Sequence, residues 1–97
     1  MTGPESLTLS NIVVRADGLA EAEVDGEVVA LNIEQGFCYG LNQTGSRVWR
    51  LLAEPTRVAD LCGTLESEYA IDPETCRLQV LELLEDMRGE GLIAVPQ

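Results

Sequence analysis

Ninety-seven residues, 45% of them hydrophobic, make one domain with one core and leave little room for a deep catalytic cavity. The formal charge of -11 is spread along the chain: residues 1–36 hold one Arg and seven acids, and residues 37–97 five Arg and ten acids. A basic patch is therefore missing, and with it the counterion release that drives nucleic-acid binding. No apolar run nears the ~20 residues of a membrane span, and the start lacks a signal segment, so the expectation is a cytoplasmic chain without membrane contact.

Residues 1–11 are polar, with Gly3 and Pro4, and are expected to form a loose arm ahead of a single domain over 12–97. Ile12-Val13-Val14 is a short β-prone run whose role stays open. From 19 to 24 the chain alternates, Ala20, Ala22 and Val24 against Glu21 and Glu23, and Asp25-Gly26 signals a two-residue hairpin. A second strand over 27–33 places Val29, Leu31 and Ile33 on one face. After the turn at Glu34-Gln35-Gly36, Phe37, Tyr39 and Leu41 align on a third strand over 37–41.

The period changes at Asn42, an N-cap for a helix over 43–53 that turns Val48, Leu51 and Leu52 inward with Trp49 beside them. Gly45 in its first turn predicts close packing. Pro55 closes this element and Thr56 is the expected cap of a second helix over 57–69, with Val58, Leu61, Cys62, Leu65 and Tyr69 at helical spacing. Asp72-Pro73 starts a third helix that runs to Arg88 and ends at Gly89 or Gly91. Leu92 to Val95 is a last apolar segment. Strands first and three helices after them predict an α+β domain, winged helix-turn-helix-like, with an N-terminal three-stranded antiparallel sheet.

The catalytic inventory is nearly empty. There is no histidine and no lysine, so acid–base work would fall to carboxylates, cysteine or tyrosine. Cys38, Cys62 and Cys76 sit far apart within apolar patterns and read as packing residues; zinc-ligand spacing is absent. Glu82, Glu85 and Asp86 share a helix flank, but three acids there in an acidic protein read as a solvated face and not as a metal site. No cofactor, metal or catalytic residue is expected.

At about 100° per residue, Cys76, Val80, Leu83, Leu84 and Met87 form one stripe of the third helix. Arg77, Leu81 and Arg88 lie on one shoulder with Leu78 beyond, and Gln79, Glu82 and Asp86 lie on the other. Leu78 and Leu81 either pack under the strands or line a groove. The strand over 37–41 has no Lys or Pro guarding its edge, so an extended peptide could add to it, with the helix as second wall.

The stretch Tyr39-Gly40-Leu41-Asn42-Gln43-Thr44-Gly45-Ser46-Arg47-Val48-Trp49-Arg50-Leu51-Leu52 resembles the strand-to-helix signature of PqqD-like proteins, the RiPP precursor recognition elements. Val58 to Tyr69, Ile71-Asp72-Pro73-Glu74 and Leu81 to Ile93 follow in the family's order, over about residues 20–95. The resemblance implies a non-catalytic domain that takes the leader of a precursor peptide as an added strand. Carried over by position, the site would be Phe37, Cys38, Tyr39, Gly40 and Leu41 on the edge. Arg77, Leu78, Leu81, Leu84, Glu85 and Arg88 would form the helix wall. The aromatic third strand and Trp49 look most like the lasso-peptide subgroup. Its partners are a cysteine-protease-like leader peptidase and an asparagine-synthetase-like cyclase. PqqD proper, serving a radical SAM enzyme, and a non-catalytic dimerising adaptor are the alternatives; nucleic acid and membrane are not expected partners.

Overall fold

The computed structural model describes residues 7–96. In chain order the elements are β1 (Ile12–Arg15), β2 (Ala20–Val24), β3 (Glu27–Asn32), β4 (Phe37–Gly40), α1 (Gln43–Leu51), β5 (Thr56–Arg57), α2 (Val58–Tyr69), α3 (Pro73–Gly89) and β6 (Ile93–Ala94). The α+β architecture is the one the sequence implied: a β2–β3–β4 antiparallel meander followed by three helices. Asp25 (φ 54°) and Gly26 (φ 83°) both take the left-handed backbone that a tight hairpin demands.

The helix starts follow local chemistry. Asn42 Oδ1 accepts from the Gly45 N–H at 2.8 Å, and Asp72 accepts from Thr75 N–H at 3.2 Å with Pro73 in the first turn. A Cβ on Gly45 would lie 3.3 Å from Asn42 Oδ1 and 3.4 Å from Leu41 Cβ, so the expected close packing is present.

Thr56 does not cap α2. It sits in β5, and its hydroxyl donates to Leu51 O (3.3 Å) and Glu54 O (2.9 Å), closing the end of α1. The N-cap of α2 is Arg57, whose side chain makes no cap bond. Instead Val58 N–H donates to Asn11 O (2.9 Å) and Ala59 N–H to Leu9 O (3.0 Å). Main-chain carbonyls from the start of the chain thus satisfy the α2 terminus.

The open question at 12–16 resolves into a second sheet. β1 lies between β5 and β6, with Ile12 opposite Arg57 and Val14 opposite Ala94. The segment ahead of it is seated from Leu7 onward, because Leu7 is buried in the core and Leu9 packs against it. The rest of the expected loose arm, residues 1–6, lies outside the described residues.

One core joins both sheets to all three helices: Val13, Val28, Ala30, Val48, Trp49, Leu52, Leu61, Leu65, Val80, Leu84, Met87 and Leu92 are among its buried members. Tyr69, expected on the inner face of α2, is 45% exposed. Among the described residues one polar side chain is fully buried, that of Ser46. Ser46 Oγ accepts from Val28 N–H at 2.8 Å and donates to Leu41 O at 3.2 Å, pinning β3 and the exit of β4 to α1.

Candidate functional site

β4 pairs with β3 alone, in the register Phe37–Asn32, Cys38–Leu31, Tyr39–Ala30 and Gly40–Val29. Its other edge meets no strand among the described residues. Leu41 N–H donates to Val28 O at 2.8 Å, continuing that register by one pair. Antiparallel ladders alternate, so the main-chain groups of Phe37 and Tyr39 also face β3, and those of Cys38 and Gly40 face the open edge. Phe37 and Tyr39 turn their half-buried side chains to the helix side, where Tyr39 packs against the core. Leu41 is buried and belongs to the core, so the accessible edge is 37–40.

The six residues read as a helix wall divide into groups. Leu78 is 65% exposed, while Leu81 is half-buried and packs against the core. Leu84 is fully buried, which corrects its reading as a groove residue: at its helical angle it faces the interior with Val80 and Met87. Glu85 is engaged on both oxygens, accepting from Leu7 N–H at 2.7 Å and from Arg88 Nη2 at 2.7 Å. Arg77 and Arg88 are half-buried. The Glu85 flank of α3 therefore carries the N-terminal segment, which the sequence reading did not foresee.

The opposite flank, read as an ordinary wet surface, holds the concavity. A mainly apolar cavity of about 110 Å³ lies among Thr44, Tyr69, Ile71, Gln79, Val80 and Leu83, where the starts of α1 and α3 meet the end of α2. The exposed Tyr69 belongs to this mouth. A sequence signal existed in Tyr69 and Ile71, two large apolar side chains bracketing a helix end, but which flank of α3 they would reach depends on the interhelical angle.

Several charges around β2 and α1 are paired. Arg15 bridges Glu21 (2.8 Å), places its guanidinium 4.7 Å from the Trp49 ring centre, and donates from Nε to Trp49 O. Trp49 Nε1 donates to the same Glu21 at 3.2 Å, and Arg50 bridges Glu23 at 3.0 Å. On the far side of α1, Arg47 binds Glu68. The guanidinium holds the Glu68 carboxyl below the usual carboxylate range through its hydrogen bond and its charge.

The three cysteines differ in exposure. Cys62 and Cys76 are buried; loss of solvation pushes the Cys62 thiol up to about 11 and Cys76 also upward, so neither is a thiolate at neutral pH. Cys38 is exposed. Among the described residues no group of three or more His, Cys, Asp or Glu is placed to hold a metal ion, and no helix is long and apolar enough to cross a membrane.

What the arrangement offers is a strand edge that meets no other strand among the described residues and, where the three helices meet, a small apolar cavity. The solved structure of TbiB1 in complex with the TbiA(beta) leader peptide superposes on this chain with a TM-score of 0.78 at 28% identity, covering 87% of this chain and 98% of that one. No curated protein matches the chain. The model of the family described as coenzyme PQQ synthesis protein D (PqqD) matches residues 27–93, from the start of β3 into β6, and the chain belongs to the PqqD family.

Proposed function

We propose that this protein binds the leader region of a ribosomally synthesised precursor peptide by strand addition to β4 and delivers it to processing enzymes. The observation that carries the reading is the unpaired edge at Phe37–Gly40 in a PqqD-family domain whose fold matches a leader-bound relative. The family is one of non-catalytic peptide-binding domains, and the residues above supply binding surface and no reacting group.

Two outward pairs of main-chain groups, at Cys38 and Gly40, supply ladder bonds, and Gly40 lets a second backbone come close. The cavity at Tyr69, Ile71 and Leu83 accepts one apolar anchor side chain; burying it contributes about 1.5–3 kcal/mol. A micromolar complex requires about 8 kcal/mol net, within reach of such an edge with two or three anchors. Aromatic residues on β4, Phe37 and Tyr39, together with Trp49, favour the lasso-peptide type. The recipients are then a cysteine-protease-like leader peptidase and an asparagine-synthetase-like cyclase.

A second reading, presentation of a precursor to a radical SAM enzyme, draws on the family's own description. A winged-helix nucleic-acid role is disfavoured by residues 73–90, with two Arg against five acids. The test is fluorescence-anisotropy titration with the leader of the precursor encoded beside this chain's gene. Affinity of about micromolar or better, with little salt dependence, is expected. Absence of binding would leave the strand edge without this ligand.

A further inference from the structure

β2 places its acids and its apolar residues on opposite faces of the β2–β3–β4 sheet. Its acids point to the protein body: Glu21 meets Arg15 and Trp49, and Glu23 meets Arg50. Both pair in register with fully buried β3 residues, Glu21 with Ala30 and Glu23 with Val28. Since side chains alternate, the remaining positions face outward, and they are apolar: Ala20, Ala22 and Val24 of β2, Val29 and Leu31 of β3, and Cys38 of β4. The register sets Ala20 against Leu31, Ala22 against Val29, and Leu31 against Cys38, so the six form one continuous patch. None of the six joins the core, and Val24 is 57% exposed.

A sheet with one solvated face ordinarily carries polar residues on that face. Here the acids on the body side of β2 pair with arginines at the surface, and the outer face is apolar, with Ala22, Val24 and Cys38 exposed and Ala20, Val29 and Leu31 half-buried. Patches of this kind mark interaction sites. The charges around it have one sign: Glu27 on the same face opposite Val24, Asp25 in the β2–β3 turn, and Glu34 in the β3–β4 turn, all exposed. Arg15 and Arg50 are committed to the other side of the sheet.

We infer that this outer face docks the processing enzyme, through an apolar centre framed on the enzyme by lysines and arginines. The inference rests on the leader-binding reading for the identity of the enzyme, the cysteine-protease-like leader peptidase. Charge complementarity selects this occupant. A second copy would set acidic rim against acidic rim, each on a chain of -11, and an anionic lipid surface would repel the same rim. Geometry makes it useful, because a peptide added to β4 extends the sheet in its own plane and leaves the face open. Alternate side chains of the added strand then project onto the docking side.

The test uses the full chain and the leader peptidase encoded beside its gene, with binding followed by calorimetry and leader affinity by anisotropy. An Ala22→Glu, Val24→Glu double variant is expected to lose about tenfold or more in peptidase affinity while keeping its leader affinity and unfolding midpoint. Glu27→Arg is expected to weaken peptidase binding and flatten its salt dependence. Unchanged peptidase binding by the double variant overturns the inference, as does failure of the wild type to bind peptidase with or without leader. Concentration-dependent dimers in sedimentation velocity, split by the double variant, would give the face to a second copy and also overturn it. Peptidase binding that the double variant loses, in a protein that binds no leader, would support the docking face and sink the leader-binding reading alone.

Discussion

The main-chain N–H of Leu7 donates to the Glu85 carboxylate at 2.7 Å, joining the start of the chain to the C-terminal half of α3. Leu7 is only 6% exposed, and two residues later Leu9 O receives the Ala59 N–H at the start of α2. The segment ahead of β1 thus closes the core and caps a helix. Leu7→Ala is expected to destabilise the domain by about 2–5 kcal/mol, the range for a buried leucine. Urea unfolding followed by Trp49 fluorescence measures it; a change near zero would mean that Leu7 is not seated.

Ser46 is the hinge between sheet and helix. Ser46→Ala leaves the buried Val28 N–H without its acceptor, a loss of about 1–3 kcal/mol. Because β4 leads into the same junction through Leu41, the variant is also expected to speed amide exchange along 37–41. Hydrogen exchange resolved by residue checks both effects, and slow exchange there in the variant would place the pinning elsewhere.

Leader binding separates Leu78 from Leu81. Leu78→Glu changes an exposed side chain and should leave the unfolding midpoint unchanged, so any loss of leader affinity reports contact. Leu81→Glu puts a charge on a half-buried core neighbour and is expected to lower stability as well as affinity, so it tests the groove less cleanly. With leader present, the Cys38 and Gly40 amides are expected to gain exchange protection while Tyr39 changes little. Protection at Tyr39 alone would contradict strand addition in this register.

Acid weakens the link between α1 and α2. The Arg47 guanidinium holds the Glu68 carboxyl below its ordinary range, and Arg47 itself is shifted upward by the same hydrogen bond. A lowered folded-state pKa contributes stability that is complete above the ordinary carboxylate range and lost as pH falls through the lowered value. A carboxyl-carbon NMR titration should show Glu68 titrating below the ordinary carboxylate range. Arg47→Ala should raise it toward the ordinary value. A Glu68 midpoint already at the ordinary value in wild type would remove the pair from the pH dependence.

Much of this molecule is written locally. Asp25-Gly26 turns the hairpin, Asn42 and Asp72-Pro73 start their helices, and the Phe37–Tyr39 alternation marks β4; each depends on residues within a few positions, so the sequence by itself determined them. Family membership was legible for the same reason, since the Leu41-Asn42 junction and its flanking strand and helix are contiguous. Other features depend on partners far along the chain. The place of β1 between β5 and β6, the seat of Leu7 on Glu85, and the main-chain cap on α2 required the folded structure. So did the burial of Leu84 and the opening beside Tyr69. Alternation in β2 and β3 names two faces without saying which one is covered. Only tertiary packing decided it, by turning Val28 and Ala30 to the core and pairing Glu21 and Glu23 with arginines on that same side, so that Ala22 and Val24 face outward.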